Sequence, residues 1–202
     1  MAPMGLQAQS SCDITLPWSE NFDSYTTNGG TAFPTCWTRF SPFQLNNTTT
    51  RPNFYVFSYG THGTVMNFNG SGSSSTPSGV MRIATPRIPA QLNHLALSFE
   101  VSGDGLMIYA ATDTANTSTF ALIGTFSGPS MSSWSSYELH TDTIAGIPSD
   151  TGYIVFAAAY GNSSYSTARL DNLTVTAINA CERPSSVTVE LVGVTTASLS
   201  WP

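Results

Sequence analysis

The chain has 202 residues, of which only 9% are charged, and its formal net charge is −6 at pH 7. All six of its Lys and Arg residues are arginines. An acidic, lysine-free surface argues against nucleic acid as a partner, because phosphate binding depends on clustered Lys and Arg, and it argues equally against docking on an anionic membrane. No stretch approaches ~18 uninterrupted apolar residues, so no membrane insertion is predicted.

Residues 1–11 lack the basic and apolar regions of a complete signal peptide, and we expect them to be a leader or the remnant of a removed export signal. From residue 12 onward, bursts of β-branched and aromatic residues alternate with turn residues, without helical spacing of the apolar positions. The predicted strands, in chain order, are Ile14–Trp18, Cys36–Phe40, Phe54–Tyr59, Thr64–Asn69, Val80–Ile83, Leu95–Val101, Leu106–Ala111, Phe120–Phe126, Trp134–Leu139, Tyr153–Tyr160 and Ala168–Ile178.

The run Leu95–Val101 is the clearest of these strands, since its apolar residues occupy every second position. Asp104-Gly105 follows it as a tight turn, and Leu106–Ala111 completes a hairpin. Tyr153–Tyr160 is strongly apolar, which is typical of a central strand. Roughly ten short strands at a spacing of about 8–12 residues indicate an all-β, jelly-roll β-sandwich over residues 12–180.

A second module is predicted to begin after the sandwich. Cys181-Glu182-Arg183-Pro184 marks the boundary, and a new strand pattern follows in Val187–Val189, Leu191–Val192 and Ala197–Trp201. About twenty residues cannot build an independent sandwich, because a single strand pair is only marginally stable alone. We therefore interpret residues 181–202 as the first two strands of a truncated module.

The chain contains three cysteines, Cys12, Cys36 and Cys181. An exported protein favours a disulfide, and an odd number leaves one cysteine spare. A Cys12–Cys36 bond would join the entry strand to the next strand, whereas a Cys12–Cys181 bond would join the two ends of the domain. We favour the first pairing, and the second stays open. Neither pair has the Cys-x-x-Cys spacing of zinc or redox sites.

Three carboxylates are candidates for a cation site. Glu20 and Asp23 lie three residues apart where a strand gives way to a loop, so their side chains can converge. Asp171 lies in the last strand of the domain, close to Leu170 and Leu173, and the first and last strands of a jelly roll are commonly neighbours. These apolar neighbours predict burial, and a buried carboxylate without a partner is costly. A shared cation would remove that cost, and so would an arginine or backbone N–H partner.

The aromatic residues are candidates for ligand contact. Trp18, Trp37 and Trp134 are spaced like core residues, and we expect them in the core. Other rings lie on one short strand or near loops, and exposed aromatic patches mark binding sites. A stacking platform for sugar rings is therefore predicted at Tyr55, Phe57, Tyr59, Tyr160 and Tyr165.

No motif of an active site is recognisable. His62, His94 and His140 are scattered, and there is no His-Glu-x-x-His, no Gly-x-Ser-x-Gly and no acid pair flanked by histidine. Gly60–Gly63 is predicted to be a turn, and we expect the histidines to face solvent or to make single hydrogen bonds. A catalytic function is therefore not predicted.

The order of several short motifs resembles a known family. The motifs are Leu16–Asp23, Phe33–Trp37, Met81–Ile88, Leu97–Val101, Tyr153–Ala157 and Leu170–Val175. In this order and spacing, the region from Ile14 to Ile178 resembles the choice-of-anchor J and cleaved-adhesin domains, which are MAM-like jelly rolls of Bacteroidetes surface proteins and of gingipain-type proteases. The tail from Pro184 to Trp201 resembles the start of a fibronectin type III module, an immunoglobulin-like fold.

The resemblance implies a non-catalytic, secreted or cell-surface binding or adhesion module of a larger multidomain protein, commonly with structural Ca²⁺. On this basis we expect Glu20, Asp23 and Asp171 to hold one Ca²⁺ that pins the domain ends. The expected partners are a host or matrix protein or glycan, and neighbouring modules of the same polypeptide.

Two alternatives to adhesion remain. A carbohydrate-binding accessory module of a secreted glycoside hydrolase or peptidase would present an exposed, planar row of aromatic rings in a concave face. A pure spacer would have neither a concave face nor a ligand.

Overall fold

The computed structural model describes residues 12, 14–25, 33–40, 53–70, 79–160 and 167–178, and the backbone of two further strands between 188 and 200. Within these residues the chain forms thirteen β-strands. The strands are β1 (Trp18–Glu20), β2 (Thr38–Phe40), β3 (Asn53–Ser58), β4 (Thr64–Asn69), β5 (Gly79–Ala84), β6 (Leu95–Gly103), β7 (Leu106–Ala111), β8 (Phe120–Phe126), β9 (Trp134–His140), β10 (Tyr153–Tyr160), β11 (Thr167–Ala177), β12 (Thr188–Val192) and β13 (Ala197–Ser200).

Two antiparallel sheets form a β-sandwich. Sheet A has the strand order β3-β4-β11-β6-β9, and β1 also pairs with β11. Sheet B has the order β2-β5-β10-β7-β8, so β6 and β7 lie in different sheets and the hairpin predicted at Asp104-Gly105 is wrong. The predicted fold class, an all-β jelly-roll sandwich, is confirmed. No helix within the described part of the chain is long and apolar enough to cross a membrane.

The core lies between the two sheets, because each strand turns alternate residues inward. Leu95, Leu97, Phe99 and Val101 of β6 are all buried, as their spacing predicts. Around them the core contains Trp37, whose ring centroid lies 6.1 Å from that of Phe156 and 5.6 Å from that of Phe22. Trp18 packs against this core 6.0 Å from Trp37, so the expectation of a core position holds for these two tryptophans.

Strand β11 is the element on which sheet A is built. One of its edges pairs with β6, and the other is shared between β4 and β1. The β4 pairing ends at Leu170, and the β1 pairing begins at Leu173. Asp171 and Asn172 therefore lie in the gap between two partner strands, where the β6 register also shifts. A gap in strand pairing opens one position of a central strand to side chains from the adjoining loops.

A disulfide joins Cys12 to Cys36, with their Cα atoms 5.4 Å apart. It connects the segment before β1 in sheet A to the segment before β2 in sheet B, and it is the pairing that the sequence favours. The alternative with Cys181 is therefore not formed by Cys12.

The C-terminal strands β12 and β13 pair antiparallel with each other. The predicted boundary at Cys181–Pro184 and residues 1–11 lie outside the described residues. The interpretation of 181–202 as the start of a fibronectin type III module stays a prediction.

Candidate metal centre

Three ligating side chains meet on the outward face of sheet A. Asp171 and Glu100 are cross-strand neighbours on β11 and β6, and because Phe99 and Val101 point into the core, Glu100 points outward. His62 reaches them from the 3₁₀ turn Gly60–His62 between β3 and β4. Its Nδ1 lies 3.7 Å from Glu100 Oε2 and 3.8 Å from Asp171 Oδ2. One ligand atom from each of the three lies within 4.8 Å of the others, so a single ion can reach all three.

Glu20 and Asp23, predicted from the sequence as ligands together with Asp171, lie on neighbouring elements. Glu20 is the last residue of β1 and pairs with Leu173, two positions beyond Asp171. The following loop carries Asp23 to the start of β4, where its Oδ1 accepts a hydrogen bond of 2.8 Å from the Thr64 N–H. Glu20 and Asp23 are both close enough to act on the charge of Asp171. The cluster that the structure forms is therefore His62, Glu100 and Asp171, and the role of Glu20 and Asp23 as ligands stays a prediction.

The electrostatics of the cluster centre on Asp171, which is only 1% exposed. Burial raises its pKa to about 7, and the negative charges of Asp23, Glu100 and Glu20 act in the same direction. The Asn172 N–H, which donates to Asp171 Oδ1 over 2.8 Å, opposes this shift. Near neutral pH the pocket therefore resists ionisation of Asp171, and a bound positive ion would reverse that preference.

Hydrogen bonds orient the other carboxylates. Glu20 Oε1 accepts the Phe22 N–H at 2.8 Å, and its Oε2 accepts the Tyr25 hydroxyl at 3.0 Å. Burial, followed by the Glu20 charge and hydrogen bond, raises the pKa of Tyr25 to about 12, so this hydroxyl remains a donor. Glu100 Oε2 accepts from the Asn172 side-chain amide at 2.8 Å. Each carboxylate oxygen can accept more than one contact, so these bonds leave room for a cation.

The backbone around the cluster adopts unusual conformations. Phe22 and Asn172 have positive φ values of 58° and 49°, which are uncommon for residues other than glycine. Phe22 lies between Asn21 and Asp23 and is fully buried, and Asn172 directly follows Asp171. Strained residues of this kind gather at ligand clamps.

Gly63 is required by the same arrangement. Its φ is +68°, and a Cβ atom there would lie 2.2 Å from Asp23 Oδ1. Gly60, in the same turn, has φ +54°, but no described heavy atom lies within 4 Å of a Cβ at that position. Of these two glycines, only Gly63 makes space for the Asp23 carboxylate by lacking a side chain.

A polar groove of about 310 Å³ borders the cluster on the solvent side. Glu20 and Asn172 belong both to this groove and to the cluster. The groove is lined by Ser19, Glu20, Asn21, Asn172, Leu173 and Thr174. Glu20 is therefore reachable from solvent along the β1 edge, whereas Asp171 itself is only 1% exposed.

Two members of the cluster are not apparent from the sequence. His62 was expected to face solvent in a turn, and the turn is present, but the imidazole folds back over sheet A. Glu100 is visible only as a polar residue on the outward face of an alternating strand. The residue opposite Glu100 on β11 is set by the β6–β11 register, and no short sequence pattern predicts that register.

The predicted aromatic platform is only partly present. Tyr55, Phe57 and Tyr59 form a row along β3 and its following turn, and Phe57 is 38% exposed. The planes of Tyr55 and Phe57 meet at 89°, and those of Phe57 and Tyr59 at 42°. Tyr160 lies in the core and is only 8% exposed, so it cannot join a surface platform. Tyr165 lies outside the described residues.

Trp134, expected in the core, lies instead on the outward face of sheet A. It is the register partner of Ser102, which shares a face with Glu100. Its ring stacks on His62 with centroids 4.4 Å apart and planes 24° apart. The expectation failed because the spacing of aromatic residues does not reveal which face of an edge strand is covered.

Comparison with solved structures identifies folds like this one. The K1 cleaved adhesin domain of Lys-gingipain from Porphyromonas gingivalis W83 is 14% identical, with a TM-score of 0.57 over 82% of this chain and 100% of that one. The K3 domain of the same protein is 16% identical, with a TM-score of 0.55 over 79% of this chain and 98% of that one.

A family 11 carbohydrate-binding module of a cellulosomal cellulase from Clostridium thermocellum matches more weakly, at 14% identity and a TM-score of 0.45, over 81% of this chain and 96% of that one. No family model matches the chain, and no curated protein matches its sequence. At such low identities, the two gingipain domains establish the fold and nothing further.

The raised pKa of Asp171 predicts a specific pH dependence in the presence of a chelator. Between its ordinary pKa of 3.8 in the unfolded chain and about 7 in the folded protein, the folded state holds a proton that the unfolded state has lost. Folding stability should therefore fall as pH rises across this window. In Asp171→Asn, the loss of folding stability that Asp171 causes should be absent. In the control Glu138→Gln, which changes an exposed residue on β9, it should remain. Urea unfolding from pH 4 to pH 8 measures the slopes, and equal slopes for Asp171→Asn and wild type would contradict the assignment.

Gly63→Ala should destabilise the protein more than Gly60→Ala. Both changes place a Cβ on a backbone with positive φ, which costs roughly 1 kcal/mol. Only Gly63→Ala also collides with Asp23, so it alone should disturb the carboxylate cluster. The difference between the melting temperatures of the two variants gives the cost of the collision with Asp23, because the cost of positive φ is common to both. Equal losses of stability would show that Asp23 does not pack against Gly63.

Proposed function

We propose that this chain is a non-catalytic extracellular binding or adhesion module of a larger secreted or surface-anchored protein. The proposal rests on one observation, the similarity of this fold to two adhesin domains of Lys-gingipain. The match covers 98% and 100% of the length of those two domains. The Cys12–Cys36 disulfide supports an extracellular location, since such bonds persist in oxidising compartments. The module spans residues 12–180, and residues 181–202 begin a fibronectin type III module.

Ca²⁺ is the proposed resident ion of the Asp171 cluster. Calcium takes about 6–8 oxygen ligands in flexible geometry, including carboxylates of either denticity. Glu20, Asp23, Glu100 and Asp171 provide such oxygens at the point where β4, β1 and β11 meet. Burial, together with the nearby negative charges, raises the pKa of Asp171, and this supports the proposal because a divalent cation would offset both effects. An ion here would tie the first strand of the domain to the last.

A transition metal such as Zn²⁺ is the second candidate for this site. The observation that favours it is the imidazole of His62, since a histidine nitrogen with carboxylate oxygens suits zinc better than calcium. The larger number of surrounding carboxylates favours calcium.

The proposed contact surface for a protein or glycan partner is the row Tyr55, Phe57 and Tyr59. Loops and exposed aromatic residues beside a rigid sheet are suited to recognition. The rings are tilted relative to one another and offer no single flat surface. This arrangement favours adhesion to a host or matrix molecule over the alternative, a carbohydrate-binding accessory module of a glycoside hydrolase or peptidase.

Calcium should raise the melting temperature of the chain relative to a chelator. At about 100 times its dissociation constant, a ligand of the folded state alone stabilises it by about 2.7 kcal/mol. Asp171→Asn and Glu100→Gln should lose this response, and Glu138→Gln should retain it. Differential scanning calorimetry with Ca²⁺, Zn²⁺ or EDTA measures the effect. A response to Zn²⁺ alone would exclude calcium, and no response to either ion would exclude the site.

Phe57→Ala should weaken binding to the partner, whereas Leu122→Ala should not. Both side chains are large, apolar and exposed, but Leu122 lies on β8 of the opposite sheet. Immobilised protein is probed with an array of glycans and a panel of purified matrix proteins, with and without Ca²⁺. Binding to plant or microbial polysaccharides alone would favour the accessory-module alternative. The absence of binding on both panels would contradict a recognition role.

A further inference from the structure

The imidazole of His62 touches two features that are otherwise separate. Its Nδ1 faces the Glu100 and Asp171 carboxylates at 3.7 and 3.8 Å. Its ring stacks on Trp134 at 4.4 Å between centroids. His62 is partly buried between them, with about a quarter of its side chain exposed (28%). A displacement of the imidazole must therefore change both the carboxylate cluster and the environment of Trp134.

Tyr59, at the start of the same turn, continues this contact across sheet A. Its ring centroid lies 6.3 Å from that of Trp134 and 6.1 Å from that of Phe57. The guanidinium carbon of Arg169 lies 4.1 Å from the Tyr59 ring, within the range of a cation–π contact. The Tyr59 hydroxyl donates a hydrogen bond of 2.8 Å to the Met131 carbonyl, which also accepts from Arg169. The rings thus form a continuous series from His62 to the exposed Phe57.

The far end of the turn is attached to the cluster as well. Gly63 packs against the Asp23 carboxylate, and the Thr64 N–H donates to it. The Tyr59 N–H and the Gly63 carbonyl close the turn with a bond of 2.6 Å. The segment from Tyr59 to Thr64 is therefore held by carboxylates of the candidate metal centre at one side and by the aromatic series at the other.

We propose that cation binding at Asp171 and Glu100 orders the aromatic surface of sheet A through His62. An ion that contacts both carboxylates is also within reach of Nδ1, and it holds the imidazole in the orientation that stacks on Trp134. The turn is then fixed over Arg169, and Tyr59 and Phe57 are presented to a partner in one arrangement. His62 is the positioning residue of this coupling, which rests on the cation site proposed above.

The coupling makes recognition dependent on the cation without any contact between cation and partner. A ligand that requires the ordered surface binds more weakly to the empty protein, because it must also order the turn. In an exported protein, the divalent cation concentration outside the cell would then determine the fraction of molecules whose aromatic surface is ordered for binding.

The first measurement of the test is calcium binding by calorimetry, made in parallel with fluorescence. Wild type and Trp134→Phe are titrated with CaCl₂, and their difference spectrum isolates Trp134 from the other three tryptophans. The difference signal should change with the same half-saturation as the calorimetric binding. Hydrogen exchange of residues 59–64 in the wild type should slow on addition of Ca²⁺.

The second measurement uses His62→Phe, which keeps a ring on Trp134 but removes the nitrogen. It should bind Ca²⁺ through the carboxylates and lose the Trp134 response, whereas His140→Gln at the other end of β9 should keep both. Calcium binding without a change in Trp134 fluorescence or in exchange of the turn would overturn the coupling and leave the cation site intact. Absence of calorimetric binding would overturn the cation site, and the coupling with it. If His62→Phe does not fold, hydrogen exchange of residues 59–64 in the wild type still tests the coupling, since exchange that does not slow on Ca²⁺ binding would contradict it.

Discussion

The burial of a single carboxylate is the constraint on which this end of the molecule depends. Asp171 lies on the central strand of sheet A, where β4 stops and β1 has not yet begun. A charge in such a place is costly unless it is paired, and its pKa is raised accordingly to about 7. Three further carboxylates nearby increase the cost. A proton held by Asp171 up to about pH 7 offsets this cost, and so would a cation at the proposed site.

The surrounding backbone is shaped by the same constraint. Phe22 and Asn172 hold left-handed conformations that cost about 1–3 kcal/mol each for residues other than glycine. The buried ring of Phe22 packs against Trp37, so the core stabilises a strained turn whose neighbours are Asn21 and Asp23. Packing energy from the sandwich is thus used to hold polar side chains at its edge.

The two faces of sheet A have different roles. The inner face packs against sheet B and consists of aliphatic and aromatic side chains from β3, β4, β6 and β11. The outer face carries the carboxylate cluster beside a series of tilted rings, with His62 common to both. Because the turn that contributes His62 also contributes Tyr59, the proposed cation site and the proposed contact surface for a partner lie side by side on one face. The proposed adhesion and the proposed cation dependence would then arise from the same local structure.

The sequence by itself determined the sandwich and the core alternation of β6. It also singled out Asp171, which the structure places in the cluster, while the ligand roles of Glu20 and Asp23 stay predictions. These follow from local periodicity and from the rarity of charge, which are properties of short segments. Only the tertiary structure decided that Glu100 and His62 complete the cluster, that Trp134 faces outward and that Tyr160 lies in the core. Each of these depends on strand register or on which face of a sheet is covered, and both are set by pairing between residues distant in the chain.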